Sequence, residues 1–125
     1  MNRVETIRNV VFALLGGMGL VFKHAYQGPL AEIVHSYGGN FVVSFALYFA
    51  AVSATTRFGL GRPAAVAATL LAVEVFEVTD GFGVMSNVYD TVDLAANAAG
   101  VAVAVALDLA TLRLLVNRWK NREFT

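Results

Sequence analysis

From Pro63 to Val78 the chain reads PAAVAATLLAVEVFEV, a helix-length run with no polar face at helical spacing before Glu74. A helix that is apolar all round has to be buried in the core of a large protein or in a membrane. With 125 residues the chain makes one domain, too small to enclose several such helices. Three more apolar stretches lie at about residues 4–22, 40–55 and 93–116. The composition agrees, at 58% hydrophobic and 14% charged residues, against roughly 45–50% and about 25% in soluble domains. The reading is an all-α integral membrane protein, a bundle of four transmembrane helices (about 4–22, 40–55, 64–79 and 93–116) joined by short loops. It forms a single domain over residues 1–125. A soluble four-helix bundle would need polar faces that the third span lacks.

The first span needs care, because Arg3 and Arg8 precede the apolar run Val10–Leu15 as in a signal peptide. The run continues through Gly16, Gly17 and Gly19 into Leu20-Val21-Phe22 rather than ending in a small-residue cleavage site. It therefore reads as an uncleaved helix, with Arg8 snorkelling toward the interface. After it, Gly28-Pro29 signals a turn. Pro29 then opens a short surface helix that Gly38-Gly39 separates from the second span, for which Asn40 is the expected N-cap. Tyr26, Tyr37 and Trp119 fit an interfacial belt.

Basic residues give the orientation. Arg3, Arg8, Arg57, Arg62, Arg113, Arg118, Lys120 and Arg122 all fall on one side of a four-span topology, and only Lys23 falls on the other. By the positive-inside rule both termini are cytoplasmic, and the loops Lys23–Asn40 and Thr79–Asp93 face outward. Small residues mark packing faces: the Gly16/Gly17 patch, and Ala96, Gly100 and Ala104 at four-residue spacing. Either would suit another helix, a second copy or a larger membrane complex. Net charge is zero and cysteine is absent, so neither a nucleic-acid partner nor thiolate chemistry is implied.

Function is sought in Glu74–Gly100, which holds five of the nine acids, Glu74, Glu77, Asp80, Asp90 and Asp93, and no Lys, Arg or His. Measured from Pro63, Glu74 lies ~16 Å and Glu77 ~21 Å along the third helix, three residues apart on one face. Asp93, Asn97 and Gly100 form one stripe at the outer end of the fourth helix. Asn40 and Ser44 descend to comparable depth on the second. The candidate pocket is therefore Glu74, Glu77, Asp93, Asn97 and Asn40, with His35 above it. Ionisable groups at such depth face a partner, the bundle interior or a cavity. They would bind a cation, a proton or a polar ligand group, or else tie helices together by hydrogen bonds. Asp80 and Asp90 read as solvated loop residues, and Asp93 as a candidate helix cap. Ligand spacing for a metal is absent, no cofactor is implied, and without a nucleophile motif catalysis by the Glu pair ranks last. Asp108, near the cytoplasmic side, is expected to pair with Arg113, Arg57 or Arg62 and to do no chemistry.

Asp93-Leu-Ala-Ala-Asn97-Ala-Ala-Gly100, preceded by Glu74-Val-Phe-Glu77, resembles the VanZ-like family of small bacterial membrane proteins. That family carries Glu-x-x-Gln on one helix and Asp-x-x-x-Asn-x-x-Gly opening the last; here Glu77 replaces the Gln. The family's loop histidine corresponds loosely to His35. An arginine that often stands between its two motifs has no counterpart here. The resemblance implies a four-span protein of the bacterial cytoplasmic membrane, in a family named for glycopeptide (teicoplanin) resistance. The competing reading is a small structural or assembly subunit of a larger membrane complex.

Overall fold

The computed structural model describes residues 3–79 and 91–123, and these residues form four α-helices and one short 3-10 turn. The helices are α1 (Arg3–Phe22), α2 (Ala31–Arg57), α3 (Arg62–Val78) and α4 (Thr91–Glu123), and the turn is Lys23–Ala25. No strand occurs among the described residues. At 20, 27 and 33 residues, α1, α2 and α4 are long and apolar enough to cross a membrane. The 17 residues of α3 extend about 25 Å at 1.5 Å per residue.

The central helix is α2, which packs against all three others. Its boundary corrects the sequence reading. The expected break at Gly38-Gly39 is absent, and the surface segment and second span form one continuous helix that starts at Ala31, beyond Pro29. Glycine inside a helix costs roughly 1 kcal/mol relative to alanine, but here it makes room. A Cβ at Gly39 would lie 2.8 Å from Lys23 Nζ, and that amine reaches the His35 carbonyl at 3.5 Å. Asn40 is consequently not an N-cap. It sits nine residues inside α2, about 13 Å from the helix start, with its side chain turned to α4.

Two close backbone approaches hold the bundle. At Gly16 a Cβ would meet the Ala46 Cβ at 2.8 Å and the Val42 carbonyl oxygen at 2.9 Å, so α1 lies directly on α2. At Gly100 a Cβ would fall on Ser44 Oγ and on the carbonyl oxygen of Phe41, which brings α4 equally close on another face of α2. The glycine patch and the Ala96/Gly100/Ala104 seam thus serve helix pairs within the chain. Gly17 differs, with nothing within 4 Å of a Cβ built there. Beside the α1–α2 contact, Phe12 stacks on Phe49 at 4.8 Å, and Phe45 meets Phe49 edge-on at 5.2 Å.

Burial is sparse and unusually polar. Among the described residues seven hydrophobic side chains are buried, Tyr48 and Phe49 the largest, beside six polar ones. Large apolar side chains such as Leu14, Val21, Leu71 and Leu114 point outward. Exposed apolar surface on this scale marks a contact with lipid or protein rather than with water, and the interior depends on polar contacts nearly as much as on apolar ones.

Candidate functional site

The polar residues gather in two layers, one at each end of the bundle. The first joins α2, α3 and α4. Asp93, in the first turn of α4 where the helix dipole favours a carboxylate, accepts a hydrogen bond on Oδ1 from Asn40 Nδ2 at 2.7 Å. One turn along α4, Asn97 is 2% exposed. Its amide lies beside the Glu74 carboxyl of α3. Two atoms of this pair, Glu74 Oε1 and Asn97 Nδ2, are buried and have no hydrogen-bond partner among the described residues. Glu77, 8% exposed, stands three residues further along α3. Ser44 closes the layer from below, wedged against Gly100 and donating to the Phe41 carbonyl at 2.9 Å.

A groove of about 740 Å³ runs along these three helices. Its polar end is formed by Asn40, Glu77 and Asn97, and its walls by apolar residues of α2 and α3, among them Val43, Leu47, Leu71 and Phe76. Such a volume lies inside the usual ~300–1,000 Å³ of small-ligand sites. The five pocket residues expected on helices, Asn40, Glu74, Glu77, Asp93 and Asn97, are therefore gathered at the α2–α3–α4 junction. His35 is elsewhere. Its Nε2 is 2.8 Å from the carbonyl oxygen of Tyr26, so the ring fastens the α1–α2 connection and does not line the groove. Asp80 and Asp90 lie outside the described residues. Among the described residues no cluster of three or more His, Cys, Asp or Glu suits a metal ion.

At the opposite end one carboxylate ties all four helices. Asp108 on α4 is fully buried and receives Tyr48 Oη of α2 at 2.6 Å and Arg62 Nε of α3 at 2.7 Å. Arg8 of α1 completes the set, with Nη2 2.8 Å from Asp108 Oδ1. The Arg8 guanidinium also donates to Asn9 Oδ1 at 2.8 Å and to Thr111 Oγ1 at 3.1 Å. Asn9 in turn donates to Ser53 Oγ at 3.2 Å. Of the three partners expected for Asp108, Arg62 is the one found. Arg113 and Arg57 are not bonded to it, and Arg8 turns inward instead of snorkelling. The signal for Arg8 was present in the sequence: two opposite charges inside apolar helices, at matching depth from one end, satisfy each other most cheaply by pairing.

These contacts also order the bundle. The α1 start, the α2 end, the α3 start and the body of α4 meet around Asp108, whereas the Asn40–Asp93 bond joins α2 to α4 at the other end. Successive helices run antiparallel. No family model, curated protein or solved structure matches this chain.

Proposed function

We propose that the chain is a VanZ-like multi-pass protein of the bacterial cytoplasmic membrane that binds the polar group of an envelope ligand in its outer half. In this reading α3 is a fourth, slightly short span, since about 17 residues is the lower limit for crossing hydrocarbon. Both termini are cytoplasmic, as the eight basic residues at the Asp108 end require under the positive-inside rule. One observation carries the binding reading: Asn97 Nδ2 is buried without a partner at a groove that Glu77 and Asn40 also line. A buried donor left unmatched costs about 1–3 kcal/mol, a cost that a ligand bearing an acceptor would remove. The family resemblance is supported by the meeting of Glu74, Asp93, Asn97 and Gly100 at one junction.

The test uses Glu77→Gln and Asp93→Ala in cells, scored for sensitivity to envelope-directed antibiotics, alongside unfolding of the purified variants in detergent. Loss of the resistance phenotype in a variant that still folds is the expected result. Wild-type sensitivity in both folded variants would sink the pocket.

A second reading, a small subunit of a larger complex, draws on the outward stripe Val10, Leu14, Gly17 and Val21 of α1, where Gly17 leaves room for another helix backbone. The natural chain has no cysteine, so Gly17→Cys reports this face cleanly. Disulfide-linked dimers, or adducts with a co-purified partner, are expected if the stripe is an interface. A chain that stays monomeric under oxidation would remove this reading.

A further inference from the structure

We propose that the cleft between α1 and α4, at the Asp108 end of the bundle, holds an anionic phospholipid. Its phosphate rests on Arg118 and one acyl chain runs along the cleft. The site stands apart from the outer pocket and needs only that the bundle lies in a bilayer. The cleft exists because α1 and α4 both pack on α2, with no comparable backbone contact between them. It has a volume of about 440 Å³. One edge is the α1 stripe Val4, Arg8 and Val11, and the other is the α4 stripe Thr111, Leu114 and Arg118. Residues three and four apart share a helix face, so each edge is a continuous line about 10 Å long at helical rise. Leu114 is 64% exposed, and Val4 and Val11 about half. The cleft therefore opens on the flank of the bundle, where a bilayer supplies acyl chains.

The polar groups select the head group. Arg8 is already engaged with Asn9, Asp108 and Thr111, so it offers charge rather than a free donor. That charge is not cancelled, since Asp108 brings one carboxylate to two guanidinium groups, Arg8 and Arg62. Arg118 is exposed and pairs with no carboxylate among the described residues. It lines the cleft near the end of α4 that also carries Arg122, one turn further on. Its guanidinium can take a phosphate through two parallel N–H···O bonds. Among the described residues no acid lines this cleft. Elsewhere around α4, Lys120 shares a depression with Glu5 and Glu123, where an anion would meet two carboxylates. Basic pockets between membrane helices at head-group level suit anionic lipids, and here the apolar edges accommodate the chain.

The full-length protein in detergent can be titrated with phosphatidylglycerol or with phosphatidylcholine of the same acyl chains, and bound lipid counted by native mass spectrometry. Wild type is expected to hold phosphatidylglycerol about fivefold more tightly, the worth of roughly one arginine beside an anionic head group. Arg118→Gln should remove that preference. Lys120→Gln deletes the same charge at nearly the same depth but roughly 160° around the helix, and should keep it. Leu114→Trp and Val11→Trp fill the cleft from exposed positions, and at least one of them, folded by its melting, should bind phosphatidylglycerol more weakly. Equal retention of the two lipids by wild type, or equal losses from Arg118→Gln and Lys120→Gln, overturns the proposal. So does unchanged binding in both folded tryptophan variants, or full competition by glycerol phosphate, which would show an anion site with no use for a chain.

Discussion

Replacing Asp108 by alanine is expected to lower the unfolding free energy by about 3–5 kcal/mol, the usual cost of removing one partner from a buried ion pair. The carboxylate is fully buried and joins Arg8, Tyr48 and Arg62 from three different helices. Its loss leaves two guanidinium groups facing each other across the space it occupied. The partners should rank by their own burial. The Arg8 side chain is 9% exposed and has further bonds to Asn9 and Thr111, whereas that of Arg62 is 35% exposed. Arg8→Ala should therefore cost more than Arg62→Ala, where water can replace part of the interaction. Denaturant unfolding in detergent micelles, followed by far-UV circular dichroism, gives the order directly. An Asp108→Ala midpoint equal to wild type would show that the cluster contributes nothing to stability.

The second large effect is expected at Gly100. Alanine there puts a methyl group onto Ser44 Oγ and the Phe41 carbonyl oxygen. The serine can rotate, but the carbonyl belongs to α2 itself and cannot move without the helix. Overpacking of this kind costs about 1–3 kcal/mol, and leucine should cost more. Because α2 and α4 must separate, the Asn40–Asp93 bond two turns away should also open. A disulfide between Asn40→Cys and Asp93→Cys, formed readily in an otherwise unchanged chain, should form poorly once Gly100→Ala is added. Gly17→Ala is the control, since nothing stands within 4 Å of its Cβ. It should be neutral or gain about 0.5–1 kcal/mol from the better helix residue. Equal destabilisation at both glycines would mean that close approach at Gly100 is not the cause.

Much of this arrangement was legible from residue order. Apolar run lengths give the helices, and counting 1.5 Å per residue from Pro63 and from Asp93 puts Glu74, Glu77, Asp93 and Asn97 in the same half of the bundle before any contact is known. What misled was local chemistry read without its neighbours. Gly38-Gly39 looks like a break, yet Gly39 is where the Lys23 amine fits against α2. Asn40 looks like a cap because the break seems to precede it. His35 looks like a site residue because of its loop, but it holds the Tyr26 carbonyl. Arg8 looks like a surface-seeking side chain because its partner Asp108 lies a hundred residues on, and only matching depth in the bundle links the two. Tyr48 was hidden among aromatic neighbours, its hydroxyl the one feature that distinguishes it from them.

That hundred-residue separation has a consequence for how the molecule is made. At about 5–20 residues per second, Arg8 is synthesised on the order of 5–20 seconds before Asp108. During that interval the first helix carries a charge whose counter-ion does not yet exist. Until α4 arrives, Arg8 lacks the carboxylate that it meets in the finished fold. The α1–α2 contacts at Gly16 and Asn9 need nothing from α4, but a chain stopped short of α4 leaves Arg8 without the carboxylate of Asp108. The carboxylate that answers Arg8 thus arrives only with α4.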